Sequence, residues 1–251
     1  MNGRGKWQGM FTIAWFNWPF YVVGIVILIL SLMGFLVLGS RDLRVLCGVS
    51  FVVVAFFLFG SLGSSHLIYD RSDLYRWEWL RKALQGASVR QAIISHCGFD
   101  DASLLLRRQF HGIEWQVLDH FDEKLMTEPS IRRARARFPP PPDAQQVPYN
   151  AWPVARGSSD LVLALLAIHE LRSETERSRW FAECRRCLGE IGRVVLVEHV
   201  RDAANFLAFG PGFLHFHSPA SWRRCWESAG FHSINELRVT PFIRVFVLSI
   251  K

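Results

Sequence analysis

The sequence predicts a mostly parallel α/β sheet carried behind a transmembrane helical hairpin. Three observations predict it. Two runs near the N-terminus, Pro19 to Gly39 and Val45 to His66, contain no charged residue. Further on, two short continuous apolar runs, Leu161 to Ile168 and Val194 to Val197, flank a polar segment with helical patterning. That is how a βαβ unit in a doubly covered parallel sheet reads. Both runs stop at polar groups, His169–Glu170 and Glu198–His199, at the strand ends where such sheets bind ligands.

The hairpin comes first. The chain has 251 residues, half of them hydrophobic, which allows one ordinary domain plus an attachment. Each uncharged run holds about 20 residues, enough for a helix to cross a ~30 Å hydrocarbon core. The spans are placed at about 19–39 and 45–63, joined by the polar link Ser40–Arg44. A cleaved signal peptide is not expected, because the first run is too long and a second follows at once. Trp7, Trp15, Trp18, Phe20 and Tyr21 crowd the start of the first span, as an interfacial aromatic belt does. Arg4 and Lys6 precede the spans, Arg41 and Arg44 join them, and Arg71, Arg76, Arg81 and Lys82 follow them. The excess of positive charge on the side of the tail and the following domain is expected to place that domain in the cytoplasm, with the chain multi-pass. The net charge of +7 beside a bilayer reads as attraction to anionic lipid, with no nucleic-acid partner. Five cysteines, mostly in spans or helical patterns, give neither a disulfide framework nor zinc spacing.

The chain divides into a membrane anchor (1–66), an amphipathic connecting helix (67–88) and a sheet domain (89–251). Ser64 to Leu84 patterns as one helical stretch whose Tyr75, Trp77, Trp79 and Leu80 suit either a membrane interface or the sheet. Val89 to Ile94 reads as the first strand, Ser95 to Ala102 as its turn, and Ser103 to Phe110 as a helix. Glu114 to Leu118 is the second strand, ending at Asp119. Thr127 to Arg137 is a basic helix, followed by the proline break Phe138–Asp143 and a short third strand at Gln145 to Pro148. Leu161–Ile168 and Val194–Val197 are the fourth and fifth strands. Pro219 to Ala229 is a helix with Ser218 as N-cap and Gly230 at its end. Ser233–Val239 and Ile243–Ile250 close the chain as an antiparallel pair.

Ser159 to Val200 resembles the second half of class I S-adenosylmethionine (SAM) dependent methyltransferases, in which a strand, a helix and an "LxPGGRhhhhE" segment follow one another. Gly189, Glu190, Ile191, Gly192 and Arg193 occupy the PGGR region, without its proline and one glycine. The resemblance implies a Rossmann-like methyltransferase sheet, mostly parallel, whose last strand inserts antiparallel, and SAM as cofactor. The turn after strand one should then wrap SAM. It reads Ser95, His96, Cys97, Gly98, Phe99, Asp100, Asp101, Ala102, keeping only Gly98 of the family's glycines. Gly98 to Ser103 is similar to the "GFDxxS" turn of a membrane-anchored bacterial subgroup. The resemblance makes His96, Gly98, Asp100, Asp119, His120 and Tyr149 the cofactor-binding set, with Asp119 on the ribose and Asp100 either a helix cap or the partner of the cofactor's ammonium. The Val147–Pro153 segment stands where the family touches adenine.

Nine histidines are present. His96, His120, His169 and His199 fall at strand ends, and His215 and His217 follow a Gly-Pro-Gly turn. Three readings stay open for them: a general base that takes the acceptor's proton, a metal site from His215-x-His217 with His199 or His169, or structural histidines bonded to the backbone. His169 is the first choice as catalytic base and His199 the second; no metal ligand is assigned. Tyr69, Tyr75, His215 and His217 are the expected substrate side. The expected function is methyl transfer to a small lipophilic molecule or lipid headgroup presented by the bilayer, with a homo-oligomer left open. The rival is a methyltransferase fold kept as an inactive, membrane-tethered binding or scaffold module.

Overall fold

The computed structural model describes residues 5–251; Arg4 of the basic tail lies outside them. The chain forms two compact units. One holds the residues up to Ser72 together with Ala203–Phe213, and the other holds Asp73–Asp202 and Leu214–Lys251.

The first unit is a helical hairpin. α1 (Gln8–Phe16) leads into α2 (Trp18–Val37) and α3 (Arg41–His66). α3 starts earlier than the expected span, because Arg41, Asp42 and Arg44 enter the helix, leaving Leu38–Ser40 as the turn. Acidic Asp42 sits in the first turn, where the helix dipole favours it. The two long helices pack through small residues: a Cβ on Gly24 would meet Leu58 at 2.7 Å, and one on Gly34 would meet Cys47 Sγ at 2.7 Å. Tyr21 and Ser61 hydroxyls pair at 3.0 Å, and Ser31 donates to Ser50 at 3.1 Å. α1, absent from the sequence reading, is held at its N-terminus by Asp70, which accepts from Gly9 N (2.7 Å) and Met10 N (3.0 Å). Both α2 and α3 are long and apolar enough to cross a membrane, and Phe20, Leu36, Val37 and Phe59 are exposed on them.

The second unit is built on a seven-stranded sheet. Its strands are β1 (Gln91–His96), β2 (Glu114–Asp119), β3 (Gln145–Gln146), β4 (Ser159–Leu165), β5 (Leu188–His199), β6 (Phe231–Thr240) and β7 (Ile243–Ile250), in the order β3-β2-β1-β4-β5-β7-β6. β1 to β5 pair in parallel. β7 inserts antiparallel between β5 and β6, so that His199 pairs with Ile243 and Arg193 with Ser249. The sheet order and antiparallel closure match what the resemblance implies. Leu161–Ala164 and Val194–Val197 are fully buried, which is why they read as continuous rather than alternating runs.

Three stretches differ from the sequence reading. β5 is far longer than Val194–Val197, because Leu188 already pairs with Ser159 across a bulge and β7 covers its other edge. β4 stops at Leu165, and Ile168–Glu170 turns into a 3-10 helix. The single helix expected over 64–84 is broken. α3 ends in a π-turn at Leu67–Arg71, Ser72 is extended, and Trp77 sits at φ +65° before the short α4 (Glu78–Ala83). Its aromatics are buried: Tyr75, Trp77 and Trp79 pack edge-on or tilted on one another, and Trp79 donates to Leu74 O. An apolar stripe packs in the same pattern against protein or lipid, and here protein burial fixes the kink.

The remaining helices of this unit are α5 (Ser103–Gln109), α6 (Pro129–Arg137), α7 (Glu174–Cys187) and α9 (Pro219–Ser228); α8 (Ala203–Phe209) belongs to the hairpin unit. Ser173 and Glu176 form a capping box on α7, whose buried face is Arg177, Trp180, Phe181, Cys184 and Cys187. Ser218 caps α9, and Gly230 at φ +84° ends it.

Candidate active site

β1, β2, β4 and β5 all end at one edge of the sheet, and the polar side chains collect there in two groups. The first forms where β4 and β5 end. Glu198, the penultimate residue of β5, is fully buried. Its Oε1 accepts from the backbone N–H groups of Ile168 (2.9 Å) and His169 (3.2 Å). Its Oε2 lies 2.7 Å from His169 Nδ1. One carboxylate therefore holds both the 3-10 turn after β4 and the imidazole it carries. The bond fixes the tautomer: Nδ1 carries the proton and Nε2 presents a lone pair. Burial works against a charged ring, yet the adjacent Glu198 carboxylate outweighs it, and the His169 pKa is raised.

Nε2 of His169 faces Glu170 Oε1 at 3.7 Å, and His215 Nε2 faces the same oxygen at 3.6 Å. Glu170 is buried, which resists ionisation, but the His215 and His169 rings beside it hold its pKa low. Arg172 ties the two segments together, donating to His169 O (3.0 Å) and His215 O (2.6 Å). Arg177 does the same from below. It is 1% exposed and donates to Leu171 O, Arg172 O, Ser221 Oγ and, at 2.8 Å, His217 Nε2. A guanidinium only donates, so His217 Nε2 faces Arg177 as an acceptor, and it also lies 3.1 Å from His169 O. Burial, then Arg177, pushes its pKa down to about 3. His217 is thus a structural group, and His215-x-His217 does not chelate. His199 stacks on Phe216 at 4.7 Å with Nδ1 3.2 Å from Phe242 O.

The second group forms where β1 and β2 end. Gly98 sits at φ +98°, and a Cβ there would meet the Phe121 ring at 2.7 Å, so the turn needs glycine on both counts. Asp100 Oδ1 accepts from Ala102 N and Ser103 N at 2.9 Å each, the capping role. Its Oδ2 is buried with no hydrogen-bond partner, as is His96 Nε2. Burial lowers the His96 pKa. Asp119, 1% exposed, accepts from Phe121 N (3.0 Å) and pairs with Arg135 of α6 at 2.5 Å. His120 points into the core: Trp180 Nε1 donates to Ser95 Oγ, which stands 2.9 Å from His120 Nε2, and His120 Nδ1 stands 3.2 Å from Val147 O. Burial drives its pKa down to about 4. Tyr75 donates to Asp101 Oδ2 at 2.5 Å. Tyr69 lies in the hairpin unit, where its Cβ closes over Gly9. Past Val147, Trp152 stacks on His120 at 5.3 Å, its N donates to Glu183, and Arg186 donates to Trp152 O and Val154 O. Tyr149 offers its carbonyl to Trp152 Nε1.

No family model matches the chain, and no curated protein matches it in sequence. Among solved structures, mitomycin 7-O-methyltransferase MmcR matches with a TM-score of 0.55 at 13% identity, over 99% of this chain and 74% of its own. The PH0226 protein of Pyrococcus horikoshii OT3 matches with a TM-score of 0.52 at 17% identity, over 70% of this chain and 90% of its own. The sheet domain has a methyltransferase fold.

The sequence reading expects SAM at the β1–β2 group, and the residues found there suit its methionine end. The unpartnered, buried Asp100 Oδ2 is an acceptor suited to an ammonium group, and Gly98 keeps the turn tight. The ribose position is more guarded: Asp119 stands at the expected strand end, but Arg135 already pairs with it. Of the sequence candidates, the structure brings His169 and His215 together and, separately, His96, Gly98, Asp100 and Asp119. It directs the His120 and His217 rings into other bonds, and it bonds the Tyr149 carbonyl to Trp152. Glu198, Glu170, Arg135 and Arg177 carry roles that the histidine pattern did not assign. The signal for Glu198 was present as an acid closing a fully apolar strand.

Proposed function

We propose that the chain is a SAM-dependent methyltransferase acting on a small lipophilic molecule or lipid headgroup at the inner surface of a bacterial membrane. The observation that carries this reading is the His169–Glu198 dyad at the ligand edge of a methyltransferase fold. A histidine ordered through Nδ1 by a buried carboxylate, with the lone pair on Nε2, is built to remove a proton from a hydroxyl or amine. Mitomycin 7-O-methyltransferase, by its name, methylates an oxygen of a small molecule, and a phenol or hydroquinone oxygen is the acceptor chemistry that suits this dyad.

SAM, when bound, supplies an activated methyl group. Asp100 Oδ2 would take its ammonium and Asp119, once Arg135 moves aside, its ribose hydroxyls. His169 Nε2 then takes the acceptor's proton, and Glu198 stabilises the imidazolium that forms. Because the leaving group is already activated, the protein's work is mainly alignment and water exclusion.

The membrane part of the reading rests on α2 and α3, whose length, apolarity and exposed Phe20, Leu36 and Val37 suit a lipid environment. The Ala203–Phe213 segment, flanked by His199 and His215 in the chain, belongs to the same unit as these helices. The Asp119–Arg135 pair favours the second reading, an inactive fold serving as a tethered binding module. Calorimetry of full-length protein in detergent with SAM and S-adenosylhomocysteine separates the two. Binding of both ligands supports the enzyme, and no heat at millimolar ligand sinks it.

A further inference from the structure

We propose that His169, Glu170 and His215 form a binding site for one divalent transition-metal cation, of the zinc or cobalt class, on the acceptor side of the sheet edge. One ligand atom from each of the three residues lies within 4.8 Å of the other two. The spacing is that of ligands around a gap. Glu170 Oε1 is 3.7 Å from His169 Nε2 and 3.6 Å from His215 Nε2, too far for hydrogen bonds. Tetrahedral ligands on a zinc-sized ion stand about 3.4 Å apart, given bonds of about 2.0–2.2 Å.

Three further features mark a built site. Glu170 Oε2 is buried with no hydrogen-bond partner, which is costly for a carboxylate unless something pairs with it. His169 already has the outer support of a metal-binding histidine, its Nδ1–H given to Glu198 so that Nε2 points at the gap. Arg172 clamps the backbone carbonyls of both histidines, holding the two segments in register.

Two histidines and a carboxylate leave a fourth position open, the arrangement of catalytic rather than structural metal sites. The site is independent of SAM. If the proposed methyl transfer also holds, a cation there would bind the acceptor oxygen and lower its pKa, its proton leaving to solvent, with His169 as ligand in place of base.

The test needs neither SAM nor acceptor. Untagged full-length protein in detergent is stripped with chelator and titrated with Co2+, followed by its visible d–d absorption, and with Zn2+ by calorimetry. The expected result is one ion per chain. Binding is lost in Glu170→Gln and in His215→Gln, weakened about 10–100-fold in Glu198→Gln, and unchanged in His111→Ala, a histidine exposed in the turn between α5 and β2. Circular dichroism confirms that the variants fold, and the conservative Glu170→Gln carries the test if His215→Gln does not. Absence of binding at millimolar metal, or binding that survives both ligand substitutions, overturns the site. Calorimetry with SAM on the same samples reads the methyltransferase proposal separately.

Discussion

Glu198 and Asp119 are both buried carboxylates at the ends of parallel strands, yet they are held in different ways. Glu198 accepts two backbone N–H groups and one imidazole, all from the turn after β4. Asp119 accepts one backbone N–H and pairs with Arg135, a side chain 20% exposed on a neighbouring helix. The first arrangement is fixed by the backbone; the second can be undone by one side-chain rotation. On the proposed function, the β4–β5 half is preorganised for chemistry on an acceptor, and the β1–β2 half is closed by a partner that the cofactor must displace.

The largest effect is expected where the backbone depends on the acid. Glu198→Ala leaves Ile168 N, His169 N and the His169 ring without their acceptor, and breaking such a buried group is expected to lower the unfolding free energy by about 3–5 kcal/mol. Asp119→Ala is expected to lower it by less, about 1–3 kcal/mol, since Arg135 can turn to solvent. Urea unfolding of the two variants side by side checks the ranking; equal losses would break the contrast.

His120 sharpens the comparison through pH. Its folded pKa of about 4 lies below the ordinary 6.5, so the folded state keeps the ring neutral while the unfolded chain takes up a proton. The stability it confers is complete above pH 6.5 and is lost as pH falls from 6.5 to 4, by about 3 kcal/mol in all. His120→Gln should flatten that part of the stability–pH profile, measured by urea midpoints across the range. A slope that persists unchanged in His120→Gln would put the acid sensitivity elsewhere.

Smaller effects belong to the cofactor turn. Gly98→Ala places a Cβ against Phe121 at φ +98° and should lower stability by about 1–3 kcal/mol while weakening SAM binding. Arg135→Ala removes the group that closes Asp119 and should tighten SAM binding by up to about fivefold, the worth of a partly exposed ion pair of about 1 kcal/mol. Calorimetry reads both, and weaker SAM binding in Arg135→Ala would make Arg135 a ligand rather than a gate.

What the sequence made legible follows from burial. β4 and β5 are covered on both faces and read as continuous apolar runs, and Ser218 and Gly230 mark α9 through local backbone chemistry. The 64–84 segment was less legible because a stripe of Tyr75, Trp77 and Trp79 packs equally well on lipid or on protein. The site divides the same way. His169 at a strand end was visible, but which acid orders it depends on the parallel pairing of β4 with β5, where Leu165 meets Val197 and the next residue, Glu198, reaches the turn beyond. Arg135 on Asp119 and Arg177 on His217 are likewise long-range pairings that no local pattern encodes.

The most direct test is transfer of labelled methyl from SAM into acceptors carried in anionic phospholipid vesicles, offered as a panel of hydroquinones, phenols and amines, by wild type and His169→Ala. SAM affinity is measured on the same preparations. The predicted result is transfer by wild type and equal SAM binding by both proteins. Loss of the base should slow transfer by about 10²–10⁴-fold. Transfer by His169→Ala at the wild-type rate, or SAM binding that falls with the substitution, would contradict the assignment of chemistry to the β4–β5 edge.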